Sequence, residues 1–101
     1  MIKHIVLIKL REDLVPFEHL NAVNQIKEAL EALPEKIDVI KYYEVGVNVN
    51  PNPKASEIVL ISEFENFADL NIYREHPEHK KVLEIIDKYK KETSFTDYIV
   101  K

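Results

Sequence analysis

Three histidines and one tyrosine are the side chains of this sequence whose types and spacing could support acid–base chemistry. Imidazole changes charge near neutral pH without help from its surroundings. His76 and His79 stand three residues apart around Pro77, and Tyr73 precedes them by about one helical turn. A phenol hydroxyl and a neutral imidazole beside a cavity could orient a carbonyl group and remove a neighbouring proton. The fourth histidine, His19, lies near the start of a predicted helix, and we assign it to the surface.

His4 is the third candidate histidine, and it stands at the start of a predicted strand. Side chains alternate between the two faces of a strand, so His4 shares its face with the apolar residues Val6, Ile8 and Leu10. One interpretation is an interface histidine that is hydrogen-bonded to a neighbour. The other is a polar group in the wall of an apolar cavity, where a neutral imidazole could accept a proton.

The two histidines around Pro77 also raise the question of a metal site, but their positions argue against one. A metal ion needs at least a third ligand in matching geometry, which Glu75 or Glu78 would have to supply. Because Pro77 breaks the helix, His76 and His79 are expected on different elements. We therefore predict no metal here. The alternative is a helix junction in which Pro77 starts a new helix and His76 caps or packs at the break.

The composition excludes several classes of function. A chain of 101 residues has the size of one domain, residues 1–101. Its net charge of −4 does not favour nucleic-acid binding, and its lack of cysteine excludes disulfides and thiolate ligands. Its single glycine excludes glycine-rich phosphate loops, and no apolar run approaches the roughly 20 residues of a membrane span. We expect a cytoplasmic protein without a cofactor that binds neither nucleic acid nor membranes.

The apolar pattern predicts seven elements in the order strand, helix, strand, strand, helix, helix, strand. Alternation of β-branched and aromatic residues indicates the strands, and helical spacing of apolar residues indicates the helices. The predicted strands are 3–10, 39–47, 57–64 and 94–100, and the predicted helices are 15–33, 67–75 and 77–91. In a domain this small, the order predicts an α+β, ferredoxin-like βαββαβ fold with helices on one face of a four-stranded antiparallel sheet.

Both faces of the predicted sheet carry apolar residues, although the helices can cover only one of them. In the first strand, Ile5 and Leu7 point away from the face of His4 and Val6. An exposed apolar sheet is an aggregation hazard, and a second copy of the chain would cover it. We predict a homodimer with facing sheets, in which the face of His4 lies inside the dimer and borders a pocket between the two sheets.

Four segments of the sequence resemble one known family. Residues 73–82 (Tyr-Arg-Glu-His-Pro-Glu-His-Lys-Lys-Val) carry a fairly specific His-Pro-x-His element, and residues 2–10, 63–70 and 95–99 also match the family's pattern. On these segments the chain resembles the stress-responsive dimeric A/B barrel domain proteins over essentially its whole length. The resemblance implies a ferredoxin-like protomer and a dimeric α/β barrel built from facing sheets.

The same resemblance implies residues for a site. Most members of the family have no assigned reaction, but one plant member closes a linear polyketide thioester by aldol condensation with a tyrosine and a histidine. By similarity, Tyr73 would hold the carbonyl side of the substrate and His79 would take the proton. The pocket residues implied around this catalytic pair are His4, His76, Val6, Val23 and Ile26, the last two at positions where the plant enzyme is richer in aromatic side chains.

Three functions remain open from the sequence. The first is a dimeric barrel that binds a hydrophobic small molecule in an apolar cavity, without an assigned reaction. The second is an enzyme that performs acid–base chemistry with Tyr73 and His79, as a polyketide cyclase, an isomerase or a cofactorless monooxygenase. The third is a purely structural or interaction module. The set of three histidines and one tyrosine favours a site over a bare scaffold.

Overall fold

Four antiparallel strands form one sheet in the computed structural model, which describes residues 1–101. The strands lie in the order β2-β3-β1-β4, with bounds β1 Ile2–Leu10, β2 Tyr42–Val47, β3 Ile58–Phe64 and β4 Lys90–Ile99. Three α-helices complete the fold, namely α1 Pro16–Glu31, α2 Phe67–Glu75 and α3 Pro77–Tyr89, with a short 3₁₀ turn over Leu33–Glu35. The predicted ferredoxin-like fold is therefore confirmed. None of the helices is long and apolar enough to cross a membrane.

Helix α1 supplies the layer that covers the centre of the sheet. Its first turn is fixed by Pro16 at the first helical position and by the backbone N–H of Val15, which donates to the carboxylate of Glu18 at 3.1 Å. The buried stripe of the helix recurs at helical spacing and consists of Ala22, Val23, Ile26 and Leu30. This stripe belongs to the core that the helices share with the inner face of the sheet.

The junction between α2 and α3 is a single residue, His76. Its backbone is extended, which ends α2, and Pro77 then opens α3. The ring nitrogen Nδ1 of His76 accepts a hydrogen bond from the backbone N–H of Glu78 at 3.1 Å, so that this side chain caps the new helix. The predicted helix junction is confirmed, and it brings residues at the end of α2 close to the first turn of α3.

The boundary between α3 and β4 differs from the prediction. The helix ends at Tyr89 instead of residue 91, and the strand begins at Lys90 instead of residue 94. Lys90 already pairs with Leu10 of β1, beside an irregularity in the register of β1. Because β4 is an edge strand, its first residues are polar and, after the half-buried Lys90, exposed on both faces, and they lack the apolar alternation that would have indicated a strand.

The face of the sheet that packs against the helices is the opposite of the one predicted. Ile8 and Leu10, on the face of His4, are buried in the core beneath the helices. The outer face instead carries Ile5 and Leu7, which pair in register with two apolar residues of β3, Ile61 and Val59. The prediction that the face of His4 lies between two sheets is therefore wrong. Alternation separates the two faces of a strand, but it does not indicate which of them meets the helices.

Candidate functional site

A row of polar side chains crosses the otherwise apolar inner face of the sheet. The register of the strands aligns one residue from each strand, in the order Tyr43, Ser62, His4 and Asp97. Paired residues of neighbouring strands point to the same face, so all four side chains lie on the side of the helices. The neighbouring inner positions of β3 are occupied by the buried Leu60 and Phe64. The row therefore interrupts the core at one level.

A cavity of about 300 Å³ lies above this row, between the inner face of the sheet and the helices. Most of its wall is apolar and is formed by Val6, Ile8, Leu30, Leu60, Leu83, Ile86 and Phe95. The polar part of its lining is formed by His4, Tyr73, Arg74, His79, Asp87, Lys90 and Thr93. The volume is at the lower end of the range for small-molecule sites, and the combination of apolar walls with a few convergent polar groups is typical of them.

His79 is held in one orientation by the junction of α2 and α3. Its Nδ1 lies 3.2 Å from the backbone carbonyl oxygen of Arg74, and a carbonyl can only accept, so Nδ1 carries the proton and donates it. In the neutral ring Nε2 is therefore the unprotonated nitrogen, and it makes no hydrogen bond within the chain. Burial lowers the pKa of His79, and the hydrogen bond to the carbonyl of Arg74 opposes this effect. His4, Arg74 and His76 make smaller contributions that also lower the pKa. His79 is thus a neutral base at neutral pH.

Tyr73 lies beside this imidazole at the end of α2. It is completely buried, and its ring centroid is 4.4 Å from that of His79. Its hydroxyl lies 2.7 Å from the hydroxyl of Tyr43 on β2. Burial raises the pKa of Tyr73 to about 12, although the hydrogen bond to Tyr43 acts in the lowering direction. Burial, the charge that Tyr73 carries once it is ionised, and the shared hydrogen bond raise the pKa of Tyr43 still further, so both phenols stay protonated at neutral pH.

Asp97 connects two groups at the opposite end of the row. One of its carboxylate oxygens contacts Nδ1 of His4, and the other accepts a hydrogen bond from the guanidinium of Arg74 at 2.7 Å. The guanidinium also lies near two partly exposed aromatic rings, 5.9 Å from the centroid of Phe67 and 5.6 Å from that of Phe95. Asp97 therefore fixes both the ring of His4 and the position of Arg74 at the cavity.

The structure brings four of the predicted site residues together and leaves three outside. Tyr73, His79, His4 and Val6 all line the cavity. His76 does not line it, because its ring turns back to cap α3. Two residues of α1 that were also predicted for the pocket, Val23 and Ile26, are buried in the core and do not reach the cavity either. The lining from α1 is Leu30, one turn further along the helix.

Sequence reasoning missed Tyr43, Asp97 and Arg74. One of these, Asp97, left a signal, because like Ser62 it is a polar residue at a strand position that faces the core. A polar residue at such a position needs a hydrogen-bond partner, and its pairing with His4 was the signal that could have indicated this part of the site. Arg74 gave no such signal, because its position next to Tyr73 in a helix does not indicate what its long side chain contacts.

The side chains around the cavity do not form a metal site. No three histidine, aspartate or glutamate side chains in the chain lie in an arrangement that could hold a metal ion. The two histidines of the His-Pro-Glu-His segment use their Nδ1 atoms differently, His76 as an acceptor from Glu78 and His79 as a donor to Arg74. What the site offers instead is neutral hydrogen-bonding chemistry next to an apolar space.

Comparison with known proteins agrees with this architecture. A dimeric protein of unknown function with a ferredoxin-like fold from Bacteroides fragilis is 46% identical, over 96% of this chain and 93% of its own, with a TM-score of 0.90. A dimeric ferredoxin-like protein of unknown function from Thermobifida fusca is 22% identical, over 98% of this chain and 90% of its own, with a TM-score of 0.83. The hydroxynitrile lyase of Passiflora edulis shares the fold at 16% identity, over 99% of this chain and 93% of its own, with a TM-score of 0.81.

The match to a protein family covers nearly the whole chain. None of the curated proteins is similar enough in sequence to match. The model of the stress responsive A/B barrel domain matches residues 2–100, which include every residue that lines the cavity. The chain therefore belongs to the stress responsive A/B barrel domain family.

Proposed function

We propose that this protein binds a mostly apolar small molecule in the cavity, with the polar end of the ligand beside Tyr73 and His79. One observation carries the proposal. The wall of an apolar cavity of about 300 Å³ contains His79, whose ring is oriented by the hydrogen bond of Nδ1 and whose Nε2 has no hydrogen-bond partner. No buried side-chain nitrogen or oxygen in the chain lacks a partner, so the unbonded Nε2 of His79 is an accessible atom. An accessible hydrogen-bond acceptor beside an apolar wall suits a ligand that is apolar along its length and polar at one end.

Titration with N-phenyl-1-naphthylamine, an uncharged dye that fluoresces in apolar surroundings, tests the binding. We expect saturable fluorescence with the unmodified protein. Val6→Phe places a larger side chain in the cavity wall, and it should weaken binding at least tenfold. Val49→Phe is the matched control, because Val49 is 96% exposed in a loop outside the cavity, and it should leave the titration unchanged. A dye that does not bind, or that binds Val6→Phe as tightly, contradicts the proposal, provided that the variant melts as a folded protein.

Acid–base turnover is the second candidate function, and the held neutral tautomer of His79 favours it. Nε2 could take a proton from the carbon next to a carbonyl group, and the electron pair of the broken C–H bond would form an enolate. The hydroxyl of Tyr73 would accept a hydrogen bond from the Tyr43 hydroxyl and donate its own proton to the enolate oxygen, where the charge develops, once the ligand displaces the packing that buries Tyr73 in the free protein. Return of the proton to another carbon would complete an isomerisation, and attack of the enolate carbon on a second carbonyl would complete an aldol cyclisation.

Hydrogen exchange into a simple ketone tests this candidate. Phenylacetone in deuterated buffer should lose its α-protons faster with the protein than without it, as followed by NMR. His79→Gln and Tyr73→Phe should each slow the catalysed part by about 10²-fold or more, the usual contribution of a positioned acid or base. Exchange that is equally fast with both variants would assign it to the buffer or to surface groups, and it would exclude this role of the pair.

We propose further that the protein is a homodimer joined through the outer face of its sheet. Ile5, Leu7, Val59 and Ile61 form an apolar centre on this face, and Leu7 is 43% exposed in the single chain. The neighbour that is 46% identical is described as dimeric, which supports the same assembly here. An apolar patch at the middle of an uncovered sheet is what a two-fold dimer would bury.

Light scattering after size-exclusion chromatography tests the dimer. The unmodified chain should elute with about twice the mass of one chain, and Leu7→Lys should reduce this to a monomer because it buries a charge at the interface. Leu20→Lys makes the same change at an exposed position of α1, on the other side of the sheet, and should leave the mass unchanged. A monomeric unmodified chain at micromolar concentration would contradict the assembly.

A further inference from the structure

Every charged side chain that lines the cavity is already paired with an opposite charge. The guanidinium of Arg74 donates to Asp97 at 2.7 Å, and the ammonium of Lys90 lies 2.9 Å from the carboxylate of Asp87. Asp97 stands directly behind the lining and is largely buried, with 14% of its side chain exposed. The cavity therefore presents ion pairs to a ligand, and it presents no cation that is free to bind an anion.

The imidazoles leave this charge balance unchanged when they are neutral. A neutral His4 satisfies Asp97 by donating its Nδ1–H, and His79 donates its own Nδ1–H to a backbone carbonyl. Tyr73 and Tyr43 share a hydrogen bond between uncharged hydroxyls. Arg74 then balances Asp97 beside His4, Lys90 balances Asp87 near the start of β4, and the charged groups at the cavity sum to no net charge.

From this balance we infer that the cavity selects uncharged ligands and that Asp97 sets the selectivity by neutralising Arg74. The inference rests on the proposed binding function and names the class of ligand, an uncharged and largely apolar molecule with a hydroxyl or carbonyl group. Such a ligand needs only one acceptor or donor at His79 and Thr93, both of which line the cavity. An anionic ligand would have to give up its hydration without finding an unpaired cation. If it took Arg74 from Asp97, it would leave a largely buried carboxylate without its partner.

Two dyes that differ by one charge provide the test. N-phenyl-1-naphthylamine is uncharged, and 8-anilinonaphthalene-1-sulfonate has the same aromatic framework with a sulfonate. At about pH 8, above the ordinary imidazole pKa of about 6.5, we expect the uncharged dye to bind at least tenfold more tightly. The fluorescence that remains with Val6→Phe is subtracted from that of the unmodified protein, so that only binding in the cavity is compared.

Substitution of Asp97 tests how the selectivity arises. Asp97→Asn keeps the shape of the side chain and removes the charge that pairs with Arg74, so it should shift the ratio of the two affinities at least tenfold toward the sulfonate dye. Asp13→Asn is the matched control, because it removes one negative charge at a side chain that is 77% exposed and does not line the cavity, and it should change neither affinity. If Asp97→Asn does not melt as a folded protein, Asp97→Ser provides the same comparison with a side chain that can still accept a hydrogen bond from His4.

The outcomes separate this inference from the binding function on which it rests. Failure of both dyes to bind would overturn the binding function and this inference together. Equal binding of both dyes by the unmodified protein would overturn the selectivity and leave the binding function in place. A preference for the uncharged dye that neither Asp97 variant alters would overturn the role of Asp97. Sulfonate binding that Asp13→Asn strengthens as much as Asp97→Asn would also overturn it, because the effect would then come from overall charge.

Discussion

The hydrogen bond between Tyr43 and Tyr73 offers a sharp test of the buried polar row, because one oxygen atom can be removed without changing the shape of a ring. Tyr73 is completely buried and its hydroxyl has one partner, the hydroxyl of Tyr43 at 2.7 Å. Tyr43→Phe would leave a buried polar group without a hydrogen bond. Such a group costs about 1–3 kcal/mol, so we expect Tyr43→Phe to lower the free energy of unfolding by that amount.

The reverse substitution should cost less. Tyr73→Phe removes the fully buried hydroxyl and leaves that of Tyr43, a residue that is not completely buried. We expect a loss of about 1 kcal/mol for Tyr73→Phe. The double variant should lose less than the sum of the two single losses, and the difference, about 1 kcal/mol, measures the hydrogen bond itself. Because the hydrogen bond lowers the pKa of Tyr73, this pKa should also rise above about 12 in Tyr43→Phe.

Urea unfolding of the four proteins at one chain concentration measures these energies, since a dimer makes apparent stability depend on concentration. Tyr42→Phe is the control, because it makes the same change at the next residue, on the outer face and with no hydrogen bond to lose, and it should change stability by less than about 0.5 kcal/mol. Additive losses in the double variant would refute the hydrogen bond. A loss in Tyr43→Phe no larger than in Tyr42→Phe would refute the buried unpaired hydroxyl.

Three further predictions concern His79, His76 and Gly46. Burial lowers the pKa of His79, so its NMR titration should have a midpoint below about 6.5. The free energy of unfolding should then fall as the pH decreases from about 6.5 to that midpoint, and a midpoint at or above about 6.5 contradicts this prediction. His76→Ala should cost about 0.5–2 kcal/mol and His76→Asn much less, and equal losses would exclude a capping role. A Cβ on Gly46 would lie 2.9 Å from Cγ1 of Val59, so Gly46→Ala should lower the melting temperature. Adding Val59→Ala to this variant should restore part of the loss, and an unchanged melting temperature in Gly46→Ala would refute the contact.

The order of the elements could be predicted because each carries its own local signal. Pro16 and Pro77 stand at the first positions of two helices, and Asn66 accepts a hydrogen bond from the third residue of α2. The start of β4 could not be predicted in the same way. The residues from Lys90 to Ser94 are polar, and their strand conformation is imposed by hydrogen bonding to β1, which lies about eighty residues earlier in the chain.

The site could be predicted only as far as residue types indicate chemistry. His79 and Tyr73 were found because imidazole and phenol are reactive groups near a helix break. Their partners were missed because the contacts join distant parts of the chain, as between His4 and Asp97 or between Tyr43 and Tyr73. Such pairs depend on the register of the strands, and alternation alone does not determine the register.

The orientation of the sheet also changes how binding and assembly are related. A pocket between two facing sheets would need both chains, whereas the cavity observed here is lined by one chain on the helix side of its sheet. Val6 and Leu7 illustrate the separation, since these neighbours in β1 point to the cavity and to the outer face respectively. The backbone of a single sheet lies between the two surfaces, and Phe95 of the edge strand β4 is the one cavity residue that also borders a small pocket beside Ile5 and Leu7. Loss of the proposed dimer should therefore leave all the other lining residues of the cavity in place, and Phe95 is the one side chain through which a ligand in the cavity would reach the outer face.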